Sequence, residues 1–92
     1  MIDKISKELL KASIDLNSKE LIYEISWWFG TPSHSLKISD VELFNNYDIP
    51  SGWNGIGEKE LSILERNGFL KKISETINEK DPLEKKIIYI IN

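Results

Sequence analysis

Residues 61–72, LSILERNGFLKK, constrain the fold more than any other stretch of this 92-residue chain. Leu61 and Leu64 lie three apart and share one helical face. Gly68 follows where a left-handed helix exit is wanted, and Phe69 and Leu70 open a strand. The pattern predicts a helix over residues 58–67, with Ile56, Leu61 and Leu64 inward and Glu58 and Glu60 in the first turn, where the helix dipole favours acids. Strands over residues 69–77 and 86–91 follow, joined by the polar loop NEKDPLE, whose proline suits a hairpin tip.

Upstream, Ile5, Leu9 and Ala12 fall at i, i+4 and i+7 and predict a short amphipathic helix over residues 2–12. A break at residues 15–17 precedes Ser18, which offers an N-cap to a second helix running to Phe29. There Leu21, Ile25, Trp28 and Phe29 form a broad apolar face, and Tyr23 and Trp27 form a second stripe one turn apart. Gly30 and Pro32 end that helix. Leu36-Lys37-Ile38 reads as a brief strand, and Ser39 with Glu42 reads as a capping box ahead of a short helix carrying Val41, Phe44 and Tyr47 inward. The glycine-rich SGWNGIG reads as a loop. The expected fold is α+β, in one domain over residues 1–92, with residues 1–14 a helical extension and 18–92 the core.

Composition narrows the function classes. A chain 40% hydrophobic with three tryptophans can bury one modest core. Without cysteine there are no disulfides, no thiol catalysis and no cysteine-based metal site, so a reducing cytoplasm is expected. No apolar run approaches the roughly 20 residues a membrane helix needs, and the mixed-charge start is unlike a signal peptide. Net charge is -3, which speaks against non-specific coating of nucleic acid. Its distribution is uneven: from Arg66 onward the chain is net +2, and the first 65 residues are net -5.

With helix, glycine exit and hairpin in place, the chain resembles the winged-helix superfamily of DNA-binding domains. The residues that carry the resemblance are Leu61, Leu64, Glu65, Gly68 and Phe69, the pair Lys71 and Lys72, and the returning strand KKIIYII. The resemblance spans residues 18–92. It implies that the helix before the hairpin approaches the major groove and that the wing touches phosphate. By position, Trp53, Asn54, Lys59 and Ser62 would then face bases, Arg66 would meet a phosphate, and Lys71, Lys72, Lys80, Lys85 and Lys86 would grip the backbone. Glu58, Glu60 and Glu65 depart from the cationic pattern of a DNA reader.

Two non-enzymatic roles stay open. The first is a small DNA-associated transcriptional regulator on double-stranded DNA, dimeric through the N-terminal helix. The second is an adaptor that contacts another protein through Tyr23, Trp27 and neighbouring aromatics. No cofactor or metal is expected: His/Asp/Glu spacings do not make a ligand set, and GWNGIG lacks the lysine and hydroxyl residue of a phosphate loop. His34, the single histidine, reads as an exposed loop residue with no triad partner.

Overall fold

A computed structural model describes residues 2–28, 30–49, 56–77 and 84–92. In chain order they form α1 (Ile2–Asp15), β1 (Glu20–Trp28), β2 (Thr31–Ile38), β3 (Val41–Glu42), α2 (Leu43–Asn46), α3 (Glu58–Arg66), β4 (Leu70–Ile77) and β5 (Lys85–Ile91). The strands make one antiparallel sheet in the order β3-β2-β1-β5-β4. The class is α+β, as the sequence implies.

The C-terminal half follows its sequence pattern closely. Leu61 and Leu64 of α3 are buried together with Ile56. Gly68 takes φ +82°. Its N–H donates to the Glu65 carbonyl and the Phe69 N–H donates to the Leu64 carbonyl, each at 3.0 Å, which is the Schellman exit. α1 leaves in the same way on Asn17, at φ 51°, with the Ser18 N–H donating to the Ser13 carbonyl at 3.0 Å. The amphipathic helix therefore runs one turn beyond residue 12.

The predicted second helix is instead β1. A nine-residue apolar segment satisfies both periods, so composition decides: ELIYEISWW is rich in β-branched and aromatic residues, which fit a pleated surface better than a helix. The period-2 reading fits burial, with Leu21 and Tyr23 inside and Glu20 and Glu24 outside. Gly30, read as a helix stop, turns β1 into β2 at φ +78°. β2 is accordingly longer than Leu36-Lys37-Ile38 and includes His34. Ser39 does not cap a helix either. Ser39 and Asp40 both take positive φ (52° and 65°) between the paired residues Ile38 and Val41, as a two-residue primed hairpin turn requires. The short helix α2 begins later, at Leu43.

One sheet face carries the core. Ile5, Leu9 and Ala12 of α1, Leu61 and Leu64 of α3, and Leu21, Tyr23, Leu36, Ile38, Ile87, Tyr89 and Ile91 of the sheet form a single buried cluster, with Phe44, Tyr47 and Phe69 packed partly buried against it. The narrow stripe of α1 expected to serve a dimer is thus consumed inside its own chain. No described helix covers the other face, where Ile22, Ile88 and Ile90 run between polar neighbours.

Candidate functional site

The start of α3 is tied to the sheet by charge. The Lys85 ammonium lies 2.8 Å from the Glu58 carboxylate and 3.7 Å from that of Glu75 on β4. Hydrogen bonding to Glu58 raises the Lys85 pKa, with the charges of Glu58 and Glu75 adding to the effect against partial desolvation. Lys85, expected on phosphate, therefore has its charge engaged by two carboxylates of its own chain. Glu58, which disfavours DNA in the sequence, acts here as the anchor between helix and sheet.

Beneath α3 lies a row of polar rings. Tyr23 is 1% exposed, so it is a core residue and not the partner-facing aromatic expected from a helical stripe. Its hydroxyl is hydrogen-bonded to His34 Nδ1, and the two rings stack with centroids 5.8 Å apart. His34 is half-buried on β2, not an exposed loop residue. Burial, then the nearby Glu58 charge, pushes the Tyr23 phenol up to about 12. Tyr89 on β5 is pushed up to about 12 by burial and by Glu58, Glu65 and Glu75; its buried hydroxyl meets no hydrogen-bond partner among the described residues. Both phenols hold their protons at neutral pH. No group of three metal-ligating side chains occurs among the described residues.

The cations proposed for DNA do not share one surface. Lys59, Ser62 and Arg66 line the outward side of α3, at i, i+3 and i+7. Lys71 and Lys86 lie on the uncovered sheet face, at register positions beside Ile90 and between Glu24 and Thr76. Lys72 pairs with buried Tyr89 and so lies on the helix-bearing face. Trp53, Asn54 and Lys80 fall outside the described residues. Trp27 holds a backbone position on β1 opposite Pro32, and its side chain is likewise outside them.

Two shallow hollows lie among the described residues. One of about 670 Å³ lies between α1 and α2, where the Tyr47 hydroxyl donates to Asp15 at 3.2 Å and Lys4 pairs with Asp48 at 2.7 Å. The other, of about 480 Å³, is on the uncovered face and is lined by Ser26, Ser33, Ser35, Lys37, Thr76 and Lys86 among others. Lys37 was no candidate in the sequence, because only the full length of β2 aligns it with the wing lysines.

The outer edge of β4 is the further feature that sequence reasoning passed over. It is eight residues long and carries Ile73 and Ile77, each 50% exposed. Ile73 has no cross-strand partner: Lys72 faces Tyr89 and Ser74 faces Ile88, so the strand bulges there. Ile73 and Ile77 lie four apart in LKKISETI, where strict alternation would place them on one face; the half-apolar exterior of an end strand was the available signal.

Comparison of the chain with family models, with curated proteins and with solved structures finds no match.

Proposed function

We propose that this protein is a non-enzymatic binding module that engages a protein partner by strand addition along β4. The observation that carries the reading is the eight-residue outer edge of β4, with Ile73 and Ile77 half exposed on it. An edge strand offers unpaired backbone donors and acceptors, and a joining strand gains both ladder hydrogen bonds and apolar cover. The cysteine-free chain suits a reducing cytoplasm, and no helix among the described residues is long and apolar enough to cross a membrane.

The test is crosslinking in native extract with wild type and with Ile73→Lys/Ile77→Lys, each checked for an unchanged circular dichroism spectrum. A partner captured by wild type and lost from the variant is the expected result. A partner retained by the folded variant removes β4 from the reading.

The DNA-associated regulator is the second reading. What supports it is the order α3, β4, β5, the helix-then-wing arrangement of a winged-helix domain, with Lys59, Ser62 and Arg66 aligned along the outside of α3. Against it stand the opposed placement of the α3 and wing cations and the engagement of Lys85 by Glu58. It requires duplex binding, seen by fluorescence anisotropy, that weakens steeply with salt and is lost in Lys59→Ala/Arg66→Ala. Absence of duplex binding at low salt ends it.

A further inference from the structure

We infer that the strand added to β4 is β4 of a second copy of this chain, paired antiparallel about a two-fold axis between Ile73 and Ser74. The inference rests on the edge reading above and names its partner. The bulge at Ile73 makes this register possible. In an unbroken strand successive residues alternate faces, and a two-fold axis falling between two residues would set inward residues opposite outward ones. In β4 the extra residue shifts the alternation. Leu70 and Lys72 before it, and Glu75 and Ile77 after it, pair with Ile91, Tyr89, Ile87 and Lys85 and so lie on the same, helix-bearing face. Lys71, Ser74 and Thr76 lie on the other, since their partners are Ile90, Ile88 and Lys86.

About the axis, Leu70 then meets Ile77 of the other copy, Lys71 meets Thr76, and Lys72 meets Glu75, each pair matching in face. The charges select this register. Lys72 and Glu75 form two opposite-charge pairs across the axis, whereas a register centred on Lys72 or on Glu75 sets like charges against each other. Ile73 of each copy, half exposed, sits beside the axis, and half-exposed Ile77 takes the register position opposite Leu70, itself already buried. Lys71 and Lys72 then deter addition of unrelated strands while admitting this one, so an edge that is protected against aggregation stays open to its own complement. The contact is isologous, and it closes at two copies because it uses up the β4 edge of both.

Sedimentation velocity over a concentration series provides the test. Wild type should show a concentration-dependent monomer–dimer equilibrium. Each of Lys72→Glu and Glu75→Lys turns two attractive pairs into two repulsive ones and should raise the dissociation constant about tenfold or more. The double variant Lys72→Glu/Glu75→Lys restores opposite charges across the axis, without the Glu75–Lys85 contact, and should bind several-fold more tightly than either single variant. Circular dichroism confirms that each variant is folded. Wild type that stays monomeric up to about 1 mM, a range covering all but the feeblest affinities, overturns the second copy as occupant; so does a double variant no better than the singles. Neither result touches the crosslinking outcome for Ile73→Lys/Ile77→Lys, so the edge reading is judged separately.

Discussion

The two ends of the sheet are finished in opposite ways. At the β3 end the chain closes its own edge. β3 pairs with the last residues of β2, and the Glu42 carboxylate accepts the Ser35 hydroxyl at 2.7 Å and the Leu36 N–H at 3.3 Å. At the β4 end nothing described caps the strand, and two isoleucines stand half exposed. A sheet that spends a turn, a carboxylate and a short helix on one edge and leaves an eight-residue strand bare at the other has an inside end and an outside end. The closed end contributes to folding; the open end is where another chain can add.

Four perturbations test that contrast. The largest effect is expected at the closed edge: Glu42→Ala removes both hydrogen bonds to a charged acceptor and should cost about 2 kcal/mol in urea unfolding, with the oligomeric state unchanged. A shift in dimerisation instead would mean that the two ends are coupled. Next comes the turn that builds this edge. Asp40→Gly relieves a left-handed backbone at φ 65° and should stabilise by about 1 kcal/mol, read as a higher urea midpoint at the same slope. The open edge should behave in reverse. Ile73→Lys changes an exposed bulge residue, so stability should stay within about 0.5 kcal/mol while self-association is lost.

The fourth perturbation is pH. Tyr23, on the β2 side, and Tyr89, on the β4 side, both have phenols pushed up to about 12 from the ordinary 10. The unfolded chain therefore releases these protons before the native one does. Stability from them is fully present below pH 10 and is lost as pH rises through about 12. Absorbance at 295 nm should show native phenolate appearing later than in urea. Normal titration at pH 10 by the folded protein would mean that the rings are wet.

Legibility in the sequence varied along the chain for physical reasons. Residues 56–77 and 84–91 could be read because their signals are local: a glycine that alone tolerates φ +82° cheaply, acids at a helix start, and apolar spacing confined to one period. Residues 18–29 could not, because Leu21, Ile25 and Trp28 fit a helical stripe while Leu21, Tyr23 and Ile25 fit a strand. The choice is made by pairing to β5, whose partner residues lie 60 to 70 positions away. The error carried Tyr23 to a surface it does not occupy and hid the environment of His34. Of the candidate site, the exposed side of α3 was legible, since Lys59, Ser62 and Arg66 follow from helical spacing alone. The engagement of Lys85 by Glu58 and Glu75 was not: it joins three elements, and only the assembled sheet brings them within reach.

The bare sheet face gains a meaning from the two-fold pairing. An axis perpendicular to the sheet turns one copy beside the other without flipping it, so both layers of helices stay on one side and both bare faces share the opposite side. Whatever Lys37, Lys71 and Lys86 meet there is met twice, on one continuous floor, with the two Lys86 positions about 20 Å apart, three strand spacings across the sheet and four residues along it. A ligand long enough to span that distance would bind with an avidity that neither copy has alone.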